Sequence, residues 1–117
     1  MSSLARLVET TLSLAEVATT DATEKVSLDQ ADKYSVEVTA TVGDSIAHLQ
    51  GSNVQEPGTA ADSLDWTELD SDSIAEDAST IFEVPDASYR WTRIMLENDD
   101  IVDVSADCLF LVIGDAV

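Results

Sequence analysis

His48 is the only histidine in the chain, and histidine is the side chain best suited to moving a proton near neutral pH. A hydrolase built on it would need an activated serine, which a Gly-x-Ser-x-Gly elbow presents. The sequence has no such elbow. It also has neither a G-x-x-x-x-G-K-[ST] nor a G-x-G-x-x-G phosphate loop. His48 lies between Ala47 and Leu49, so on a strand its ring faces the polar side and reads as a surface group. Asp and Glu number 24, so paired carboxylates occur throughout and none stands out as an acid/base couple. No catalytic and no cofactor-binding residue is nominated, and the chain reads as a non-enzymatic protein.

Other chemistry has candidate residues. Asp70 and Asp72 share a polar stretch, and Asp99, Asp100 and Asp103 bracket a turn. Clustered carboxylates of this kind can hold a structural Ca²⁺, Mg²⁺ or Na⁺, although the spacing is not that of an EF-hand. In so acidic a chain, solvated acidic loops are the competing reading. No other cofactor is implied. Cys108 is the single cysteine. It can form no internal disulfide, has no C-x-x-C partner for zinc, and alternates with Val104, Ala106, Phe110 and Val112. That pattern describes a buried thiol acting as a small hydrophobe. Trp66, Tyr89 and Trp91 could stack on a sugar if exposed, or fill a core if not. Arg93 sits mid-strand, with an ion pair or stacking on Trp91 or Tyr89 as its expected role.

The elements that would position these residues follow from the whole chain. Its 117 residues fit one domain. Lys and Arg number 5, and the formal net charge is -19. So few cations make a nucleic-acid surface untenable. No apolar run reaches the ~18 residues of a membrane span, and the start, Met1 to Arg6, does not read as a secretory leader. The hydrophobic share is 44% and is periodically arranged, so the acidity belongs to a folding chain and not a disordered one. A charge of this size repels itself in dilute salt. In molar salt the Debye length falls to about 3 Å and the repulsion is screened. With Lys scarce and Asp outnumbering Glu, the composition reads as that of a halophile, a haloarchaeon or one of its viruses; an acidic mesophilic protein is the alternative.

Period two is the dominant pattern. Tyr34, Val36, Val38, Ala40 and Val42 alternate with Ser35, Glu37, Thr39 and Thr41, which predicts a strand with one buried face. Val102 to Val112 alternates too, and its second half, Leu109-Phe110-Leu111-Val112-Ile113, is apolar on both faces. Either the fold or a partner must cover that stretch. Shorter strands are predicted at Glu24 to Leu28, Ser45 to Gln50, Leu64 to Leu69, Thr80 to Val84 and Tyr89 to Glu97. Loops are predicted at Gly51-Ser52-Asn53, Pro57-Gly58 and Asp70-Ser71-Asp72-Ser73. At the N-terminus Leu4, Leu7, Val8, Leu12 and Ala15 have helical spacing, while a Thr-rich context favours a strand from Thr11 to Val17. Residues 1–20 are therefore a strand or short helix able to act as an arm, and 21–117 form the domain. Seven to eight short strands imply an all-β fold, an antiparallel β-sandwich or jelly roll. Val36, Val38, Trp66, Phe82, Trp91, Val104 and Phe110 are its core candidates.

Several stretches together resemble the small β-sandwich structural proteins of tailed viruses. Tyr34 to Thr41 is an extended strand leading to Leu49-Gln50-Gly51-Ser52-Asn53, which is similar to that family's leucine-x-Gly-Ser-Asn/Asp turn. Asp65-Trp66-Thr67-Glu68-Leu69 matches its Trp-x-x-Leu strand, and Trp91-Thr92-Arg93-Ile94 its aromatic-x-Arg-Ile/Val strand. Val102 to Ala106 closes the series. The likeness covers about residues 25 to 112. It departs in two places: Val54 to Ser63 is an expanded link, and Trp91 stands where the family has Tyr.

The resemblance implies a capsid decoration or turret subunit of a halophilic, haloarchaeal tailed virus. Such a protein would reside in the virion, and in the host cytoplasm during assembly. A tail or baseplate component, or a glycan-binding host-attachment module, is the alternative. Its partners would be copies of itself and other virion proteins, such as major capsid or tail proteins. Leu109, Leu111 and Ile113, with Val54 and Pro57 of the expanded link, are the interface candidates.

Overall fold

The computed structural model describes residues 3–16 and 18–115. Nine strands make up its regular structure: β1 (Ser3–Leu14), β2 (Thr20–Ala22), β3 (Val26–Ser27), β4 (Ala31–Val42), β5 (Ser45–Ser52), β6 (Thr67–Ile74), β7 (Ser79–Val84), β8 (Trp91–Asn98) and β9 (Val104–Asp115). They form two antiparallel sheets. The first has the order β1-β9-β4-β7; the second has the order β2-β8-β5-β6, with β3 also paired to β8. The pairs β1/β9, β2/β8, β4/β7 and β5/β6 are nested, each lying inside the previous one in sequence. The expected all-β antiparallel sandwich is what the chain adopts. Among the described residues, no helix is long and apolar enough to cross a membrane.

Alternation determines which side chains go inside. Val36, Val38 and Ala40 of β4 lie beside Phe110, Cys108 and Ala106 of the neighbouring β9 on one sheet face, which Val104 and Val112 extend, and all are buried. Ala47 and Leu49 of β5, with Ile94 and Leu96 of β8, supply the opposing layer. Phe82 on β7 and Leu12 and Leu14 on β1 close the sides. This inter-sheet slab is the ordinary core of a sandwich.

Several elements differ from the sequence expectation. The first strand runs Ser3–Leu14, not Thr11 to Val17 (Val17 lies outside the described residues), and it pairs with β9 along its full length. The helical spacing of its leucines yields to this ladder. Asp70-Ser71-Asp72-Ser73, expected as a loop, lies within β6. β6 is an edge strand whose side chains are almost all exposed, so backbone pairing with β5 suffices and no apolar alternation is needed. In Leu64 to Leu69 the first three residues are loop, and the strand begins only at Thr67. Val102 belongs to the turn before β9 and is exposed.

Two glycines hold places that other residues could not. Gly43 has φ 69° in the β4–β5 turn, the left-handed region that glycine occupies without penalty. Gly51, read from sequence as a turn glycine, instead lies inside β5. There a Cβ would stand 2.7 Å from the Tyr89 ring, so the requirement is space and not torsion.

Candidate functional site

The outward face of the β1-β9-β4-β7 sheet carries the interface candidates Leu109, Leu111 and Ile113. Inward residues of β9 belong to the core, so these three must point to the other side. Leu111 pairs with Leu7 on β1 and with Ser35 on β4; Ile113 pairs with Ala5; Leu109 lies between Glu9 and Glu37. The three β9 residues are half-buried by neighbours within the sheet. Leu7 is 62% exposed, and Ile81 of β7 on the same face is 56% exposed. The result is an apolar row along β9, widened by Leu7 and Ala5 of β1; on β4 the same face carries Lys33, Ser35 and Glu37, which separate Ile81 from it. β9 is thus a central strand with one covered face, and among the described residues no further layer lies over the apolar side chains of its second face.

The second candidate, the expanded link, occupies residues 53–66 and folds over the outer face of the other sheet. Val54 is exposed on it, whereas Pro57 is buried, because the link packs down onto the sheet. Arg93 anchors it. The side chain is 1% exposed. Its Nε–H donates to Gln50 Oε1 at 2.7 Å; Nη1 donates to the Thr59 carbonyl at 3.3 Å, and Nη2 to those of Ala60 at 3.1 Å and Ala61 at 3.3 Å. The guanidinium lies 4.4 Å from the Trp66 ring centroid. Burial holds its pKa below the usual arginine value, but the group stays charged. The expected ion pair is not formed: among the described residues Arg93 meets only neutral acceptors and a ring.

Trp66 and Trp91 were expected inside. Both are half-buried on the outer face, Trp66 as the last residue of the link and Trp91 on the sheet beneath it, so neither fills the inter-sheet core. Trp66 Nε1 donates to the Gly58 carbonyl at 2.8 Å and Trp91 Nε1 to that of Val54 at 3.0 Å. Lys25 lies 4.5 Å over the Trp91 ring and 3.2 Å from Glu56 of the link. Ser52 Oγ donates to the Asp65 carbonyl and accepts from Val54 N–H, and Asn53 Oδ1 accepts from Arg90 N–H. Between link and sheet a pocket of about 300 Å³ is lined by residues 22–25, Pro57, Gly58, Thr59, Trp66 and Arg93. No sequence signal announced it, since Trp66 and Arg93 are far apart in the chain.

His48 is not the plain surface group expected from its neighbours. It is half-buried on the outer face of β5, with Nδ1 against Glu68 of β6 and Nε2 3.3 Å from Glu97 of β8. A bulge at Leu69 makes this possible. Leu49 pairs with Asp70 but Gln50 with Glu68, so Leu69 turns inward onto the core while Glu68 comes to the imidazole side. One ring therefore bridges three strands.

The remaining candidates have local partners. Cys108 is buried, and desolvation together with the Asp107 charge pushes its thiol up to about 12. Asp100 accepts from Asp44 N–H at 2.9 Å and Ile101 N–H at 2.7 Å, and these bonds hold its carboxyl below the usual range. Asp70 accepts from Ser71 N–H and Asp72 from the Thr80 hydroxyl. Asp99 and Asp103 are exposed beside Asp100. Among the described residues, no three His, Cys, Asp or Glu side chains converge as a metal set. The turn at Asp100 is arranged around backbone donors.

Neither a family model nor a curated protein sequence matches the chain. Solved structures are similar to it in fold. PirA superposes with a TM-score of 0.62 at 13% identity, covering 87% of this chain and 92% of its own. The PBSX exported protein XepA gives 0.62 at 16%, covering 97% of this chain and 38% of XepA. A chain from Bacillus endospore appendages, described as disulfide-linked pili, gives 0.53 at 12%, covering 98% and 93%. What these proteins share with this chain is the two-sheet β architecture.

Proposed function

We propose that this chain is a non-enzymatic structural subunit that assembles by docking the outer face of its β1-β9-β4-β7 sheet against a second copy. One observation carries the reading: Leu109, Leu111 and Ile113 form an apolar row along β9, flanked by Leu7 of β1, on a sheet face that the described residues leave uncovered. Rows of this kind on an otherwise polar surface mark association sites. Burying such side chains against a partner is worth about 1.5–3 kcal/mol each when complete. Self-association also suits the pilus neighbour, whose subunits form appendages.

The finer reading is a capsid decoration or turret subunit on the particle of a halophilic tailed virus. It is supported by the motif resemblance and by the net charge of -19. The nested strand pairing is the order of a jelly roll, which is common among capsid domains. Repulsion between such acidic copies is strong in dilute salt and short-ranged in brine, so the assembly is one that molar salt permits.

Photo-crosslinking tests the docking face. A benzophenone side chain in place of Leu111 is expected to give covalent dimers in molar KCl. The same group in place of Leu64, which is 99% exposed on the opposite sheet's link, is expected to give none. Equal yields at the two positions, or no dimers at either, would contradict the assignment.

A further inference from the structure

We propose that the pocket between the 53–66 link and the β2–β3 segment binds an acidic sugar residue, a hexuronate. Its carboxylate would lie at Arg93 and Lys25, and its ring against Trp66. The argument starts from charge. Arg93 is 1% exposed, yet none of the 24 acids of the chain pairs with it among the described residues. A buried charge with no counter-charge is costly. Its five N–H groups meet four acceptors, all neutral, with Nη1 meeting only the Thr59 carbonyl. One Nη1 N–H is therefore left without an acceptor among the described residues, and Arg93 lines the pocket. Lys25 lines the same space, so two of the five Lys and Arg residues of the chain meet at one pocket. The partner of Lys25, Glu56, is 83% exposed, and an exposed ion pair of this kind yields readily to a competing anion.

The rest of the lining narrows the class. Trp66 supplies an aromatic wall, which suits the apolar face of a sugar ring. Glu24 and Thr59 line the pocket as well. Both are exposed polar residues that sugar hydroxyls can meet, and a simple aromatic acid or inorganic anion lacks such hydroxyls. About 300 Å³ is the small end of ligand pockets, matching a single sugar unit. The pocket lies on the opposite sheet from the docking face, so the two assignments stand or fall separately.

The test is NMR titration of the isotope-labelled full chain in molar KCl, following the Trp66 indole N–H and the Arg93 Nε–H. Glucuronate is expected to shift both, saturably, at millimolar concentrations. Glucose and inorganic sulfate should each bind at least about 10-fold more weakly, the equivalent of one lost charge-assisted contact. Lys25→Gln, a change at the surface that leaves Arg93 and the link in place, is expected to weaken glucuronate by about 5-fold. No saturable shift at tens of millimolar glucuronate would overturn the proposal. So would glucose or sulfate binding as well as glucuronate, or no effect of Lys25→Gln.

Discussion

The Arg93 guanidinium reaches three successive carbonyls of the 53–66 link while it sits over the Trp66 ring. Arg93→Ala leaves Gln50 Oε1 and the Thr59 and Ala61 carbonyls without this donor, while the Ala60 carbonyl keeps Ser63 N–H. The expected loss is about 2–4 kcal/mol, read from urea melts in molar KCl, with a change in Trp66 emission as the link loosens. His48→Ala would leave Glu68 and Glu97 facing each other across β5 with nothing between them. Like charges in this position are unfavourable, and a loss of about 1 kcal/mol is expected in the same assay. The Cys108 thiol, raised to about 12, should resist Ellman's reagent in the native protein and react only as the chain unfolds.

Asp100 gives a pH dependence. Its folded-state pKa is depressed by the Asp44 and Ile101 N–H groups. Its contribution is therefore present above the unfolded carboxylate value and lost as pH falls through the folded one. Asp100→Asn should be less stable than the parent at neutral pH, with the difference vanishing in acid. Residue roles of this kind were only partly legible. The alternation around Cys108 predicts its burial, but the chain carries no mark that joins Arg93 to Trp66 or His48 to two glutamates. Those meetings arise from strand order.

At the scale of elements, β4 and β9 were readable because one face of each must be apolar to fill the slab between the sheets. β6 was not, since an edge strand can satisfy its backbone on one side with polar side chains throughout. Trp66 and Trp91 misled for a related reason. An aromatic residue in a strand signals cover, but not which sheet face is covered, and here the link covers the outer face. Gly51 shows the same limit: the residue type announced a special position, while the cause, the Tyr89 ring, came from another element. Gly51→Ala would place a Cβ 2.7 Å from that ring. Such overpacking is expected to cost about 1–3 kcal/mol, measured by thermal unfolding, and Tyr89→Ala in the same chain should recover part of the loss.

For the whole molecule, net charge and the apolar row act against each other. Copies carrying -19 repel over tens of ångströms in dilute buffer and only within about 3 Å in molar salt. Contact through Leu7, Leu111 and Ile113 acts only at touching distance, so added salt should favour both folding and association. Composition made this tension legible, and the apolar second face of β9 pointed to where contact would occur. The sequence did not reveal that Leu7 of β1 extends the row, because that requires knowing that the first strand pairs with the last. Sedimentation equilibrium in molar KCl tests the central claim most directly, with the parent run beside the double variant Leu7→Lys, Leu111→Lys. The account predicts a concentration-dependent mass above 12.5 kDa for the parent and a folded monomer for the variant. A parent that stays monomeric at every concentration, or a variant that associates equally well, would contradict it.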